Sequence, residues 1–183
     1  MSFEAFFVAI RSVELQAVAR HWQGARGRKP MPAWRDIDPV LIGRYLRYVW
    51  AWKYDRAADR FTGRLAGEEI DHAFGKSLRG ADMESFYPPE GAALVMPRHR
   101  RVVNQPAFMH GAGMVFGHVG RTLVGERIIM PLSEDGAAAD GIFGGTVYRP
   151  AEPGAARVPG PDFAPEQVAF FALDPEGLSA TSG

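Results

Sequence analysis

Apolar residues recur at intervals of three and four along residues 3–23, which predicts an amphipathic α-helix. Ser2 is a suitable N-cap for this helix, and Gly24 and Gly27 are suitable residues to end it. A stripe this long has to be buried, either against its own domain or against another chain, and the pattern leaves both open. If a second copy covers it, the helix forms a homodimer, and the candidate dimer residues are Phe3, Phe6, Phe7 and Ile10.

Helical and strand-like patterns alternate after this helix. Asp38-Pro39 predicts a helix start near 39–44, because aspartate is a good N-cap and proline suits the first helical position. Aromatic and β-branched residues predict a hairpin of two strands, 46–54 and 60–66. Further helical elements are predicted at 68–74, 81–87 and 89–104, and strands at 107–116, 121–132 and 141–149. This order predicts an α+β domain.

The composition changes after residue 149. Six prolines, four glycines and seven alanines among residues 150–183 predict a flexible tail. An apolar island, Val168–Leu173, interrupts this tail and either docks on a surface or folds back on its own sheet. The predicted organisation is an N-terminal helix and basic loop (1–37), a domain (38–149) and an acidic tail (150–183).

Composition and charge exclude several classes of function. The chain has no cysteine, which excludes disulfides, thiolate metal sites and cysteine nucleophiles. A formal net charge of zero argues against nucleic-acid and membrane partners. The first 60 residues nevertheless carry a net charge of +5, which indicates either a site for an anionic partner or a solvated loop. No targeting segment is visible, so we expect a cytoplasmic protein.

The sequence holds no motif for a catalytic site. There is no GxSxG, HExxH or GxGxxG, so we predict no catalytic residue and no enzyme activity. Glu68 and His72 lie four apart on a predicted helix, but a surface ion-pair face is favoured there, and we predict no metal site. His99 lies between arginines, and this pattern predicts a solvated basic face. No cofactor is predicted, although haem or another small ligand stays open.

Other residues are candidates for lining a pocket. Arg64 on its strand favours a carboxylate, which belongs either to the protein or to an anionic ligand. His110 and His118 flank a strand rich in glycine. Glycine weakens a strand unless something approaches it closely. Room for a ligand over the sheet is one interpretation of these glycines, and bulges or close helix packing are the other.

Short motifs in a fixed order resemble a known family. They are Arg64–Ile70 (RLAGEEI), Phe74–Gly80 (FGKSLRG), Asp36–Pro39 (DIDP), Arg101–Val103 before Pro106, Glu126–Gly136 (ERIIMPLSEDG) and Val147–Arg149. With Trp22, Gly24–Arg28 and Met31-Pro32 before them, the chain resembles PAS domains, and more narrowly a proteobacterial family of stand-alone PAS proteins. The resemblance covers about residues 15–149.

This resemblance implies a five-stranded antiparallel sheet of order 2-1-5-4-3 flanked by helices. It also implies a pocket between the sheet and the helices of residues 67–104. Candidate pocket residues are Arg64, Phe74, Tyr87, His110 and His118. The expected function is a non-catalytic sensory module that binds a small ligand and signals through a separate partner protein. The alternative is a ligand-free interaction scaffold that acts through the N-terminal helix and the tail.

Overall fold

The computed structural model describes residues 2–118, 121–150 and 167–173, without the side chains of 114–118, 121–123 and 150. The helices are α1 (Ser2–Ala9), α2 (Val13–Arg26), α3 (Pro39–Ile42), α4 (Glu68–Phe74), α5 (Met83–Phe86) and α6 (Pro89–Asn104). The strands are β1 (Val49–Asp55), β2 (Arg60–Ala66), β3 (Ala107–His118), β4 (Arg121–Leu132), β5 (Gly141–Pro150) and β6 (Gln167–Ala172). Among these described residues, no helix is long and apolar enough to span a membrane.

The strands form one antiparallel sheet in the order β2-β1-β5-β4-β3-β6. The α+β class and the order of the first five strands are therefore confirmed. The sixth strand comes from the apolar island of the predicted tail. It pairs with β3, placing Phe171 opposite Phe108 and Ala169 opposite His110. This pairing covers an edge that would otherwise expose unpaired backbone groups of β3.

The predicted helix over residues 3–23 is in fact two helices, and α2 continues to Arg26. The single-helix prediction was wrong because the chain breaks at residues 10–12. Ser12 caps α2, its Oγ accepting a hydrogen bond from the backbone nitrogen of Leu15 at 3.4 Å. The Glu126 carboxylate on β4 accepts hydrogen bonds from the backbone nitrogens of Arg11 and Ser12, both at 2.7 Å. The backbone N–H groups of Arg11 and Ser12 thus donate to a carboxylate, whereas in a continuous helix they would donate to carbonyls of the preceding turn.

Both helices cover one face of the sheet, which we call the outer face and define by Phe108, Ile128 and Phe143. The ring of Phe6 stacks on Phe108 with centroids 4.8 Å apart, and the indole nitrogen of Trp22 donates to the Pro131 carbonyl at 2.9 Å. The apolar stripe of the helices is therefore buried by its own domain.

Helices α4–α6 cover the opposite face, which we call the inner face and define by Trp50, Arg127 and Thr146. The predicted bounds of α4, α6 and β2 are those observed. Strand β1 begins later than predicted, because Gly43–Tyr48 forms a 3₁₀ helix. Pro97 lies inside α6 without ending it. Proline has no N–H to donate to the carbonyl of Ala93, four residues earlier, but Ala93 is exposed.

Candidate functional site

The space between the inner face and the helices is filled by side chains. Among the described residues, a cavity of about 10 Å³ lies between the sheet and α4, and we call it the inner cavity. A cavity of this size holds one water molecule at most. Trp50 fills much of the space, and its indole nitrogen donates to Thr146 Oγ1 at 2.9 Å. The lining residues are Trp50, Ile70, Phe74, Leu78, Tyr87, Arg127, Thr146 and Tyr148.

Two predicted pocket residues, Phe74 and Tyr87, do lie together on this side. Their ring centroids are 5.5 Å apart, and the ring of Phe86 lies 4.8 Å from that of Phe74. Both residues pack against the core as partly buried side chains. In this arrangement they close the inner cavity, so a ligand could enter only if the aromatic cluster moved.

His99 is also on the inner side, and its assignment to a solvated face was wrong. Its side chain is buried beside Trp50 and Phe61, with ring centroids at 5.7 and 6.0 Å. Burial lowers the pKa of His99 to about 3. The neutral ring donates from Nδ1 to the Val95 carbonyl at 2.8 Å. The neighbouring arginines suggested a solvated face, but His99 is buried while Arg98, Arg100 and Arg101 are partly or fully exposed. The neighbouring cavity of about 10 Å³ leaves no room for a haem.

Arg64 lies on the other side of the sheet, away from the inner cavity. Its guanidinium stacks over the ring of Trp34, 4.3 Å from the centroid, and the residue is exposed. Trp34 in turn contacts Phe143 edge-on with centroids 6.5 Å apart. The predicted partner of Arg64 was a carboxylate, and the structure shows an aromatic face instead.

A groove of about 800 Å³ lies on the outer face among the described residues, and we call it the outer groove. It lies where α1 and α2 separate, so the break in the helix leaves part of the sheet uncovered. Strand β6 forms its opposite wall. The lining residues are Ala9, Arg11, Ser12, His110, Ala112, Gly113, Val124, Gly125, Glu126, Val147, Arg149, Gln167, Val168 and Ala169.

Glu126 is the polar centre of the outer groove. Besides the two backbone nitrogens of the helix break, its carboxylate accepts a hydrogen bond from His110 Nε2 at 2.7 Å. Burial raises the pKa of Glu126, but these three hydrogen bonds outweigh burial and hold that pKa below its ordinary value. The carboxylate is therefore ionised near neutral pH. Because a carboxylate only accepts, Nε2 of His110 carries the proton.

This arrangement of serine, histidine and glutamate is not a nucleophilic site. Ser12 Oγ donates to Glu14 at 2.5 Å and caps α2, and Nε2 of His110 is held by Glu126. A nucleophile needs its base within hydrogen-bond reach, and here serine and histidine each have another partner. Within the described part of the chain, no group of three His, Asp or Glu side chains could hold a metal ion.

The sequence-predicted residues therefore divide among three places. Phe74 and Tyr87 close the inner cavity, His110 lines the outer groove, and Arg64 lies at neither. The side chain of His118 lies outside the described residues. Phe6 and Ile10 are buried in the core, and Phe3 and Phe7 pack against it. Sequence reasoning missed Arg11, Glu126 and Arg149, although the glycines of β3 and β4 were a usable signal of open space over the sheet.

The order 2-1-5-4-3 of the first five strands, with α4–α6 between the second and the third, is consistent with a PAS-like α+β fold. A family model described as PAS domain matches residues 10–147. The chain therefore belongs to the PAS domain family, whose members are generally non-catalytic sensory modules. Searches of the curated proteins and of the solved structures gave no significant match.

Proposed function

We propose that this chain is a non-catalytic regulatory PAS module that binds a small molecule in the outer groove and signals through a separate partner protein. One observation carries the proposal: the outer groove measures about 800 Å³, whereas the inner cavity measures about 10 Å³. Small-molecule sites are typically about 300–1,000 Å³. Membership of the narrower proteobacterial family and a cytoplasmic location remain predictions.

The position of the outer groove supports a signalling role. Glu126 lines the groove and also holds the backbone of Arg11 and Ser12 at the helix break. A ligand that displaced or strengthened these contacts would change how firmly α1 and α2 rest on the sheet. A partner protein that reads the N-terminal helices would then respond to occupancy of the groove.

Native mass spectrometry of the purified chain tests the proposal. We expect a mass above the chain mass, or an integer multiple of it, because of a co-purified small molecule. Ala112→Phe places a large side chain in the groove and should remove the extra mass. The matched control is Ala57→Phe in the exposed turn between β1 and β2, which should retain it.

A ligand that dissociates on purification is tested by adding metabolite mixtures and measuring the melting temperature. A rise in the original chain and in Ala57→Phe, but not in Ala112→Phe, supports the groove. The chain mass alone, together with no rise for any mixture, overturns small-molecule binding. Equal behaviour of both variants overturns the location.

The space between the inner face and the helices is filled by side chains, and this favours a second candidate, a ligand-free interaction scaffold. In this case α1 and α2, together with β6, would carry the contacts to a second copy or another protein. The buried residues Phe6 and Ile10 are already covered, so a dimer would use the exposed residues of these helices. Val8 is 80% exposed and Val13 is 64% exposed.

Light scattering over a concentration series tests the dimer. We expect twice the chain mass for the original sequence, and the chain mass for the variant carrying Val8→Glu and Val13→Glu. Val40→Glu makes the same change on α3, where Val40 is 81% exposed, and should leave the dimer intact. A monomer at all concentrations of the original chain overturns the dimer.

A further inference from the structure

We infer that the ligand of the outer groove is an organic anion, a carboxylate with an apolar body. This inference rests on the proposed function and names the class of molecule that the groove would select. The structure contributes three features to it: two arginines with no hydrogen bond or ion pair among the described residues, a floor of small and apolar residues, and an acidic group that already accepts three hydrogen bonds.

Arg11 and Arg149 both line the outer groove, one at the helix break and one near the end of β5. Within the described residues, neither guanidinium group has a hydrogen bond or an ion pair. The nearest acidic side chain on α2, Glu14, is already bound to Ser12; this hydrogen bond is the main reason that its pKa is lowered, and Arg149 adds a smaller electrostatic effect. Two guanidinium groups that no carboxylate of the described residues binds suit a carboxylate of the ligand.

The floor of the groove is built from small residues. Gly113 lies opposite Gly125 where β3 and β4 pair, and Ala112 and Ala169 line the groove beside them. Val124 and Val147 add branched apolar side chains. Such a floor offers almost no hydrogen-bonding side chains, so the part of a ligand that rests on it gains most by being apolar.

Glu126 would repel an anion if its charge were free, but the carboxylate has three N–H donors. His110 Nε2 and the backbone nitrogens of Arg11 and Ser12 supply them, each at 2.7 Å. Its hydrogen-bonding capacity toward the groove is therefore largely used. The remaining charged lining groups, Arg11 and Arg149, give the rim an excess of positive charge over this one carboxylate.

The test uses three probes with the same apolar chain and different head groups: octanoate, octan-1-ol and octylammonium. Each is titrated into the full chain and followed by the backbone amide signals in ¹H–¹⁵N NMR spectra. We expect octanoate to shift the amides of Arg11, Ala112 and Glu126. We expect its dissociation constant to be at least tenfold lower than that of octan-1-ol, and octylammonium to bind more weakly than either.

Variants separate the role of charge from the role of shape. Arg11→Gln combined with Arg149→Gln should raise the octanoate dissociation constant about tenfold and leave octan-1-ol unchanged. Arg28→Gln, on an exposed arginine outside the groove, is the matched control. Ala112→Phe should weaken both probes.

Equal affinities for octanoate and octan-1-ol, or an unchanged constant in the double arginine variant, would overturn the anion assignment. If Ala112→Phe still abolishes binding of a co-purified molecule or a metabolite, then small-molecule binding in the groove is supported and only the assignment of the ligand as an anion is wrong. If no probe and no metabolite mixture is bound, both fail together.

Discussion

A Cβ atom on Gly144 would lie 2.5 Å from Cζ2 of Trp50 and 2.6 Å from the backbone oxygen of Ile128. The two residues are direct partners across β1 and β5. The glycine therefore gives the indole of Trp50 room to lie over the sheet, where it fills much of the space between the inner face and the helices. The shape of this cavity is set by a pair of residues nearly a hundred positions apart.

We predict that Gly144→Ala destabilises the fold by about 1–3 kcal/mol, because the added methyl group overpacks a core in which backbone and indole cannot both move away. Urea unfolding followed by tryptophan fluorescence measures the loss. Gly24→Ala is the matched control, since a Cβ there meets nothing within 4 Å and the residue lies inside α2. Alanine is the better helix former, so this control should be neutral or slightly stabilising. Equal stabilities of the two variants would contradict the packing argument.

Trp50→Ala should open the inner cavity. The expected cost is about 3–5 kcal/mol, the usual range for removing a buried aromatic side chain. Added indole should restore part of the melting temperature by filling the space that the variant leaves. Trp34→Ala on the outer face is the control, and indole should not restore it. No effect of indole on Trp50→Ala would show that the variant leaves no space for an indole, and this would contradict the role of Trp50 in filling the core.

Local signals explain which elements were predictable. Gly75 ends α4 in a left-handed conformation, with φ of 64°, and Pro89 begins α6; both are marked by a single residue type at a fixed position. The break in the N-terminal helix had only a local cap, Ser12, to mark it. The break is also bound by Glu126, which lies 114 positions beyond Ser12 in the chain. No local pattern reports such a contact.

The candidate site shows the same limit. His110 was a candidate for a pocket between the sheet and the helices of residues 67–104, but it lies on the opposite face, at the outer groove. Arg11 was not among the candidates, because its position depends on how α1 and α2 are joined. His99 was misassigned since a helix of period 3.6 turns it away from neighbouring arginines, and the position of the sheet decides which side is buried.

His99 gives the stability a dependence on pH. Burial holds its pKa at about 3 in the folded chain, while the unfolded chain has the ordinary value of 6.5. As the pH falls from 6.5 toward 3, the unfolded state takes up a proton that the folded state does not. This group therefore lowers the unfolding free energy by up to about 1.4 kcal/mol per pH unit over that window.

Urea unfolding at several pH values measures this effect as a difference between variants. His99→Gln should show a shallower fall of stability between pH 6.5 and 4 than the original chain. His72→Gln, on an exposed residue of α4, should follow the original slope. Parallel curves for all three chains would show that His99 is protonated without cost, which is incompatible with its burial.

Glu126→Gln should loosen the N-terminal helices. The oxygen of the neutral amide accepts at most two of the three N–H groups, so at least one hydrogen bond is lost. A hydrogen bond to a charged group is worth about 1.5–3 kcal/mol, and we therefore expect a loss of about 2–3 kcal/mol. In the original chain the pKa of Glu126 is held below its ordinary value, so this stabilisation is present above that value and disappears as the pH falls through the lowered pKa.

Hydrogen exchange locates the effect of this variant. The amides of Arg11 and Ser12, which donate to the carboxylate, should exchange faster in Glu126→Gln, followed by those of α1. Glu4→Gln removes an exposed carboxylate from α1 itself and should leave exchange unchanged. Unchanged protection at Arg11 and Ser12 would show that the helix break is held by packing alone.

The last prediction concerns β6, which lies within the segment predicted as a tail (150–183). Phe171 lies over Phe6 with ring centroids 5.8 Å apart, and Phe170 packs under the guanidinium of Arg101 at 4.0 Å. Phe171→Ala should therefore cost about 1–2 kcal/mol, since a partly buried aromatic loses a corresponding share of its apolar contact. Ala172→Ser on the same strand, at an exposed position, should have almost no effect. Since β6 also forms a wall of the outer groove, Phe171→Ala should weaken octanoate binding together with stability. A stable variant with unchanged binding would show that β3 holds its edge without the sixth strand.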